Sequence, residues 1–307
     1  MKPLLAVLLA VPLLLDPTAP PKVDANAGGT GNTRFVELEA STIKITGDGA
    51  GGGRGDGYRV PRPCWYEPSL DAEAMYRLHT EGAGPARRAG IDEGSFRAFI
   101  QQFEEKRGKP GRWWVPAYNK ADPNGAACWG GLEQFIFMPP NTTPPSGITI
   151  EQLAQIARAA LTVPEPTVKL NPDAKSFVNL PTYVWLENVG QPRRTVTASI
   201  PGVMSVTLVA TLQDIKIDPG TTKDRAEVHE EGCGPSGKPY AKGAQFTCGV
   251  RYLRSAIDQP REKYTLTVTT VWPVQAAGNV VPFQFAPVQV GGSRDVPVGE
   301  IQSNVKP

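Results

Sequence analysis

Histidine is nearly missing from this chain: His79 and His229 are the only two in 307 residues. So few imidazoles cannot build a His-rich metal site. Each could serve as a general base only beside a nucleophile. No G-x-S-x-G elbow is present to supply a strained, exposed serine. Charge of one sign is also lacking, with 32 Lys and Arg against 30 Asp and Glu. That balance excludes a nucleic-acid groove or a polybasic membrane surface as the main feature. Cysteine is limited to Cys64, Cys128, Cys233 and Cys248. None of them forms the C-x-x-C knuckle of a four-thiolate zinc site. Both histidines are therefore expected on the surface, and no catalytic residue and no bound metal is expected.

Long apolar runs are scarce as well. One exists, the twelve residues from Leu4 to Leu15 (LLAVLLAVPLLL), flanked by Lys2. At ~1.5 Å per residue it would reach roughly 18 Å, short of a ~30 Å hydrocarbon core. Ala25-Asn26-Ala27 places small residues where a signal peptidase reads them. Residues 1–27 are thus expected to be a secretory signal peptide, with a mature start at Gly28. The mature chain is expected to carry no transmembrane segment and to be secreted or held in the cell envelope.

Export makes the four cysteines candidates for disulfides. Four cysteines allow three pairings. Cys233 and Cys248 close a Gly/Pro-rich loop of 15 residues, so they are the natural bridge, and Cys64 with Cys128 follows by elimination. A loop of that length contributes about 3 kcal/mol in the chain-entropy model.

Glycine and proline are abundant, at 32 and 31 residues, and they punctuate the chain. Residues 28–57 hold an alternating stretch (RFVELEASTIKIT, one or two strands) followed by seven glycines in Gly47 to Gly57. The glycine stretch reads as a mobile linker. Residues 58–147 form an aromatic-rich α+β region. A short helix is expected over Asp71 to Leu78, and a longer one from Ser95, its N-cap, to Lys106. In the second helix Phe96, Phe99, Ile100 and Phe103 share one face. Residues 148–307 open with a helix over Thr149 to Leu161, announced by Thr149 and Gln152 in capping-box spacing. Short β segments rich in Thr, Val and aromatics follow at 167–170, 182–187, 194–200, 203–216, 246–253, 263–272 and 281–290. This texture argues for an antiparallel sandwich, so the chain is expected to be mainly β, α+β overall. A fragment from about residue 148 onward is expected to fold alone.

Lys263 to Trp272 (KYTLTVTTVW) follows Ser255-Ala256 and Gln259-Pro260. This resembles the closing hairpin of PKD-like immunoglobulin sandwiches. The wider layout resembles a group of exported actinobacterial proteins of poorly defined function. The shared marks are a signal peptide, a variable N-terminal part, a capped helix before Pro164-Glu165-Pro166, the strand Pro181-Thr-Tyr-Val-Trp-Leu186, the cysteine-bracketed loop and the ending Val298 to Gln302. The resemblance spans roughly residues 149–302. Asp214 to Gly220 (DIKIDPG) stands where the PKD signature W-D-F-G-D-G would lie. What the resemblance implies is an immunoglobulin/PKD-like sandwich and an envelope location, with no reaction.

Several motifs need weighing. Trp65, Tyr66, Trp113, Trp114, Tyr118 and Trp129 crowd around Cys64 and Cys128, and exposed rings of this kind stack on sugars. Glu104, Glu105 and Asp122 lie nearby as carboxylates that could serve glycoside hydrolysis. Asp214, Asp218, Asp224, Glu227, Glu230 and Glu231 leave calcium open as the one cofactor, although D-x-D-x-D-G spacing is missing. His229-Glu230-Glu231-Gly232-Cys233 begins like H-E-x-x-H and ends in cysteine, which excludes a zinc protease. Gly232 to Lys238 matches G-x-x-x-x-G-K, yet Pro239 follows where a hydroxyl and a helix are required, so no nucleotide is expected. Arg54-Gly55-Asp56 arises readily in a glycine-rich stretch and carries no weight. The expected function is a non-catalytic exported protein for surface display or partner binding. Its partner would be an envelope protein or cell-wall polysaccharide. A polysaccharide binder or glycoside hydrolase and a component of an export or pilus machine are the alternatives.

Overall fold

The computed structural model describes residues 36–81, 90, 92–279, 281–282 and 284–301. The apolar run, the Ala25-Asn26-Ala27 site and Gly28 lie outside these residues, as does Gln302. No helix among the described residues is long and apolar enough to cross a membrane. The chain is mainly β with antiparallel sheets, and both disulfides, Cys64–Cys128 and Cys233–Cys248, are formed.

The first sheet is built on β4 (Arg112–Asn119). β3 (Cys64–Asp71) pairs along one edge, and β1 (Leu38–Glu39) and β5 (Ile136–Met138) pair at opposite ends of the other. Alternation along β4 sends Trp113 and Trp114 to opposite faces. Trp113 packs with Met75 of α1 (Ala72–Thr80) and with Phe96, Ile100 and Phe103 of α2 (Glu93–Glu104). Trp114 packs on the other side with Trp65, Tyr66 and the helix that follows. A short helix, α3 (Gly125–Gly130), carries Cys128 back to β3.

Helix α4 (Ile150–Ala160) is the hinge of the architecture. Thr149 caps it, its side chain accepting from the Gln152 amide. The second half of the capping box is not made, because the Gln152 side chain accepts from Arg62 instead. Burial is not confined to one stripe: Leu153, Ala154, Ile156, Ala157, Arg158, Ala159 and Ala160 are all buried. The helix is a middle layer, with the first sheet on one side and a second sheet on the other, all within one core. That second sheet runs β11 (Asp214–Asp218), β14 (Tyr264–Ala276), β10 (Met204–Thr211), β9 (Arg193–Ile200) and β2 (Lys44–Thr46), with β15 (Phe285–Val296) on the far edge of β14.

β14 and β15 form a ribbon long enough to serve two cores. Trp272, Val274, Val288 and Val290 lie in the helix-centred core. Tyr264, Leu266, Val268 and Val296 lie in a second core shared with a third sheet. The third sheet runs β12 (Ala226–His229), β13 (Gly249–Tyr252), β8 (Pro181–Glu187) and β6 (Thr167–Asn171). A two-residue parallel pair, β7 (Ser176–Phe177) with β16 (Val298–Gly299), closes its end.

The glycine stretch differs from the expected mobile linker. Gly49 donates to Thr195 and accepts from Thr162, and Arg54 and Val163 exchange backbone hydrogen bonds. Its glycines allow this close approach: a Cβ on Gly47 would stand 2.3 Å from the Thr195 carbonyl oxygen, at φ +113°. Residues 58–147 and 148–307 also share structure. Ser146 accepts from the Tyr66 amide and Tyr66 from the Ile148 amide, while Trp65, Tyr66, Trp114 and Ala117 enter the core of α4. Helix α2 begins at Glu93, two residues before the expected cap. Asp92 caps it, taking the Gly94 and Ser95 amides.

Candidate functional site

The tryptophans expected as a ring-stacking platform are mostly interior. Trp65, Trp113 and Trp114 are 0, 3 and 6 % exposed. The cause is the layering, since both faces of the first sheet are covered. Trp129 is half-buried, its indole N–H donating to Pro116 and its ring 5.8 Å from Tyr118. Beside Trp65, fully buried Glu67 accepts from the Trp65 indole, the Ser41 and Thr42 hydroxyls and the Thr42 amide. Burial pushes its carboxyl pKa up, and these donors oppose the rise. The carboxyl group fastens the 41–43 segment to β3.

His79 is also interior, contrary to the expected surface position, at 4 % exposure. Its ring stacks on Phe103 and meets Phe99 and Phe135 edge-on. Among the described residues neither nitrogen has a hydrogen-bond partner, and burial lowers its pKa to about 4. Its neighbours among the described residues are aromatic, and it fills the α1–α2 aromatic cluster.

The other motifs resolve into local structure. Asp56 of the Arg-Gly-Asp tripeptide grips Arg158 with two hydrogen bonds, 3.1 and 2.5 Å, and Arg54 pairs with Glu165. Both charged ends of the tripeptide are thus spent on the protein itself. Glu105 accepts from Gln101 one turn back, and Asp122 from the Asn124 amide. In the acidic stretch Asp224 pairs with Arg254, Glu227 with Arg251, and Glu230 accepts from the Ile217 amide. Among the described residues no group of three or more His, Cys, Asp or Glu stands where it could hold a metal ion. In the G-x-x-x-x-G-K match, the Lys238 amide donates to Val184 and Ser236 accepts from Leu186. That segment runs beside β8 and opens no helix.

A partly exposed aromatic surface lies on the third sheet, on the side away from its core. Along β8, Thr182, Val184 and Leu186 point inward, leaving Tyr183 and Trp185 outward. Register aligns Tyr183 with Gly249 of β13, and Gly249 with His229 of β12. Gly249 is the key to the patch. A Cβ there, at φ +144°, would stand 2.8 Å from the Phe246 ring and 2.1 Å from the Thr182 carbonyl oxygen. Without a side chain at that position, the Phe246 ring settles over the strand. It lies 5.0 Å from Tyr183 and 4.8 Å from His229, with the Arg251 guanidinium 5.9 Å away. Tyr240 meets Tyr183 edge-on at 5.2 Å and is 50 % exposed. The Tyr183 hydroxyl donates to Ala244, holding the loop from 238 to 246 over the sheet, and the Cys233–Cys248 disulfide ties both ends of that loop. From the sequence pattern Phe246 is only the first residue of a strand over 246–253. The usable signal was the pairing of Tyr240 and Phe246 with a glycine three residues on.

No family model, no curated protein and no solved structure matches this chain.

Proposed function

We propose that this is an exported, non-catalytic binding protein of the cell envelope or extracellular space. Its third sheet, facing the β11–β14–β15 half of the second across a shared core, fits the immunoglobulin/PKD-like sandwich that the sequence resembles. The binding surface is the outer face of that third sheet. The observation that carries this reading is the open patch of Tyr183, Tyr240 and Phe246 over Gly249. Aromatic rings left partly in water by a disulfide-tethered loop are costly to keep exposed, and recognition of a partner accounts for them. The two disulfides and the N-terminal apolar run support an oxidising, extracytoplasmic setting.

Fractionation of the parent cells tests the proposal. The chain should be recovered outside the cytoplasm with a mature start at Gly28 and both disulfides formed. Tyr240→Ala, at a half-exposed position, should move it from the envelope fraction to the culture fluid without changing its melting temperature. A full-length cytoplasmic chain, or identical partition of the two proteins, would contradict the proposal.

A further inference from the structure

We infer that the aromatic patch on the outer face of the third sheet binds an acidic polysaccharide, a polymer of sugar rings bearing carboxylates. The inference rests on the reading of that face as the binding surface and adds the chemistry of what binds. Charge comes first. From Gly232 to Arg251 the chain has no Asp or Glu, while Lys238, Lys242 and Arg251 are cationic. Lys238 and Lys242 are exposed and flank Tyr240. Lys238 reaches only the Thr247 hydroxyl, at 3.4 Å, and Lys242 has no acidic partner among the described residues. Of the neighbouring carboxylates, Glu227 pairs with Arg251, Glu187 with Lys169, and Glu230 accepts from the Ile217 amide, while Glu231 is exposed one residue before this stretch. Lys238 and Lys242 thus flank Tyr240 outside any ion pair among the described residues, and an anionic ligand complements them.

Geometry selects a sugar polymer over a peptide. An extended peptide would add to a free strand edge. Both edges of β8 and β13 are already paired beneath the patch, β8 by β6 and β13, β13 by β8 and β12. What is offered is a cluster of rings that meet edge-on, Tyr183 standing at 74° to Tyr240 and 75° to Phe246, with the half-exposed Tyr240 ring the most open of them. Tyr183 is the shared neighbour, its centroid 5.0 Å from that of Phe246 and 5.2 Å from that of Tyr240. The apolar face of a pyranose stacks on such rings. The exposed Gln245 and the tyrosine hydroxyls supply donors and acceptors for its own hydroxyls.

The test uses calorimetric titration of the oxidised mature protein with three probes: oligogalacturonate, a neutral β-glucan oligosaccharide of equal length, and oligo-glutamate of equal charge. Oligogalacturonate should bind. Tyr240→Ala and Lys238→Ala/Lys242→Ala should each weaken it at least tenfold with unchanged melting temperatures, and raising salt from 0.05 to about 0.5 M should weaken it as well. Tyr118→Ala, on the first sheet, should leave it unchanged. Tyr240-dependent binding of the neutral glucan that is indifferent to both lysines would overturn the acidic assignment and leave the binding face standing. Oligo-glutamate binding as tightly as oligogalacturonate, without dependence on Tyr240, would overturn the sugar assignment. No binding of any probe would overturn the inference, while the fractionation experiment would still decide whether the face engages the envelope.

Discussion

His79 concentrates the energetics of the α1–α2 layer in one side chain. It is caged by Phe99, Phe103 and Phe135 with no hydrogen-bond partner among the described residues, and it titrates at about 4 where an exposed histidine titrates at 6.5. Between those two values the unfolded chain takes up a proton that the folded chain refuses. The share of stability that depends on His79 is therefore fully present above about pH 6.5, falls as pH drops toward 4, and loses about 3 kcal/mol over that window. Urea unfolding across the window checks this, and His79→Phe should flatten that part of the profile. Arg158 poses the opposite problem, a charge buried in the middle layer. Asp56 neutralises it and the Tyr58 ring covers it at 4.9 Å. Arg158→Met should cost about 3 kcal/mol, because the Asp56 carboxylate is left without its cation. Asp56→Asn on top of it should recover part of that loss in the same unfolding assay.

At the scale of elements, legibility followed solvent for strands but not for helices. Helix α4 was announced by Thr149 at its cap even though sheets cover it on both sides, and α1, which Asp71 caps, by its short helical stretch alone. Helix α2 was misplaced by two residues because Asp92, not Ser95, takes the free amides. β3 escaped notice as a strand: five consecutive residues from Cys64 to Pro68 are buried, Glu67 among them, so the alternation that marks a half-exposed strand is absent. β4 was concealed for the same reason. The glycine stretch looked like a tether because composition cannot tell free glycine from glycine pressed against a backbone. The aromatic patch was illegible because it joins β8, β12, β13 and a loop, which only the register brings together. The disulfide pairing was legible from spacing, and it predicts an element-level effect. Cys233→Ser with Cys248→Ser should lower stability by about 3 kcal/mol and speed amide exchange from 234 to 246 more than elsewhere. Equal acceleration across the whole third sheet would show that the bridge holds the sheet rather than the loop.

On the scale of the molecule, layers matter more than segments. Helices α1 and α2, the first sheet, α4 and the second sheet stack in that order, and the β14–β15 ribbon carries the chain on into the core it shares with the third sheet. β2, from the N-terminal segment, completes the edge of the second sheet beside β9. A fragment starting at residue 148 would bare the face of α4 that meets Trp65, Tyr66 and Trp114, and would lose β2. These shared contacts weigh against folding alone, and the fragment itself is the test. Such a fragment should keep the second core yet show poor amide dispersion for β9, β10 and α4, and adding residues 36–147 should restore it.

The central claim is that the outer face of the third sheet is where this protein meets its partner. Hydrogen–deuterium exchange of the mature protein, with and without polysaccharide isolated from the parent envelope, reads that face directly. The account predicts slowed exchange confined to residues 181–187 and 238–251. Slowed exchange over 112–138, where Tyr118 and Trp129 lie, or no change anywhere, would contradict it.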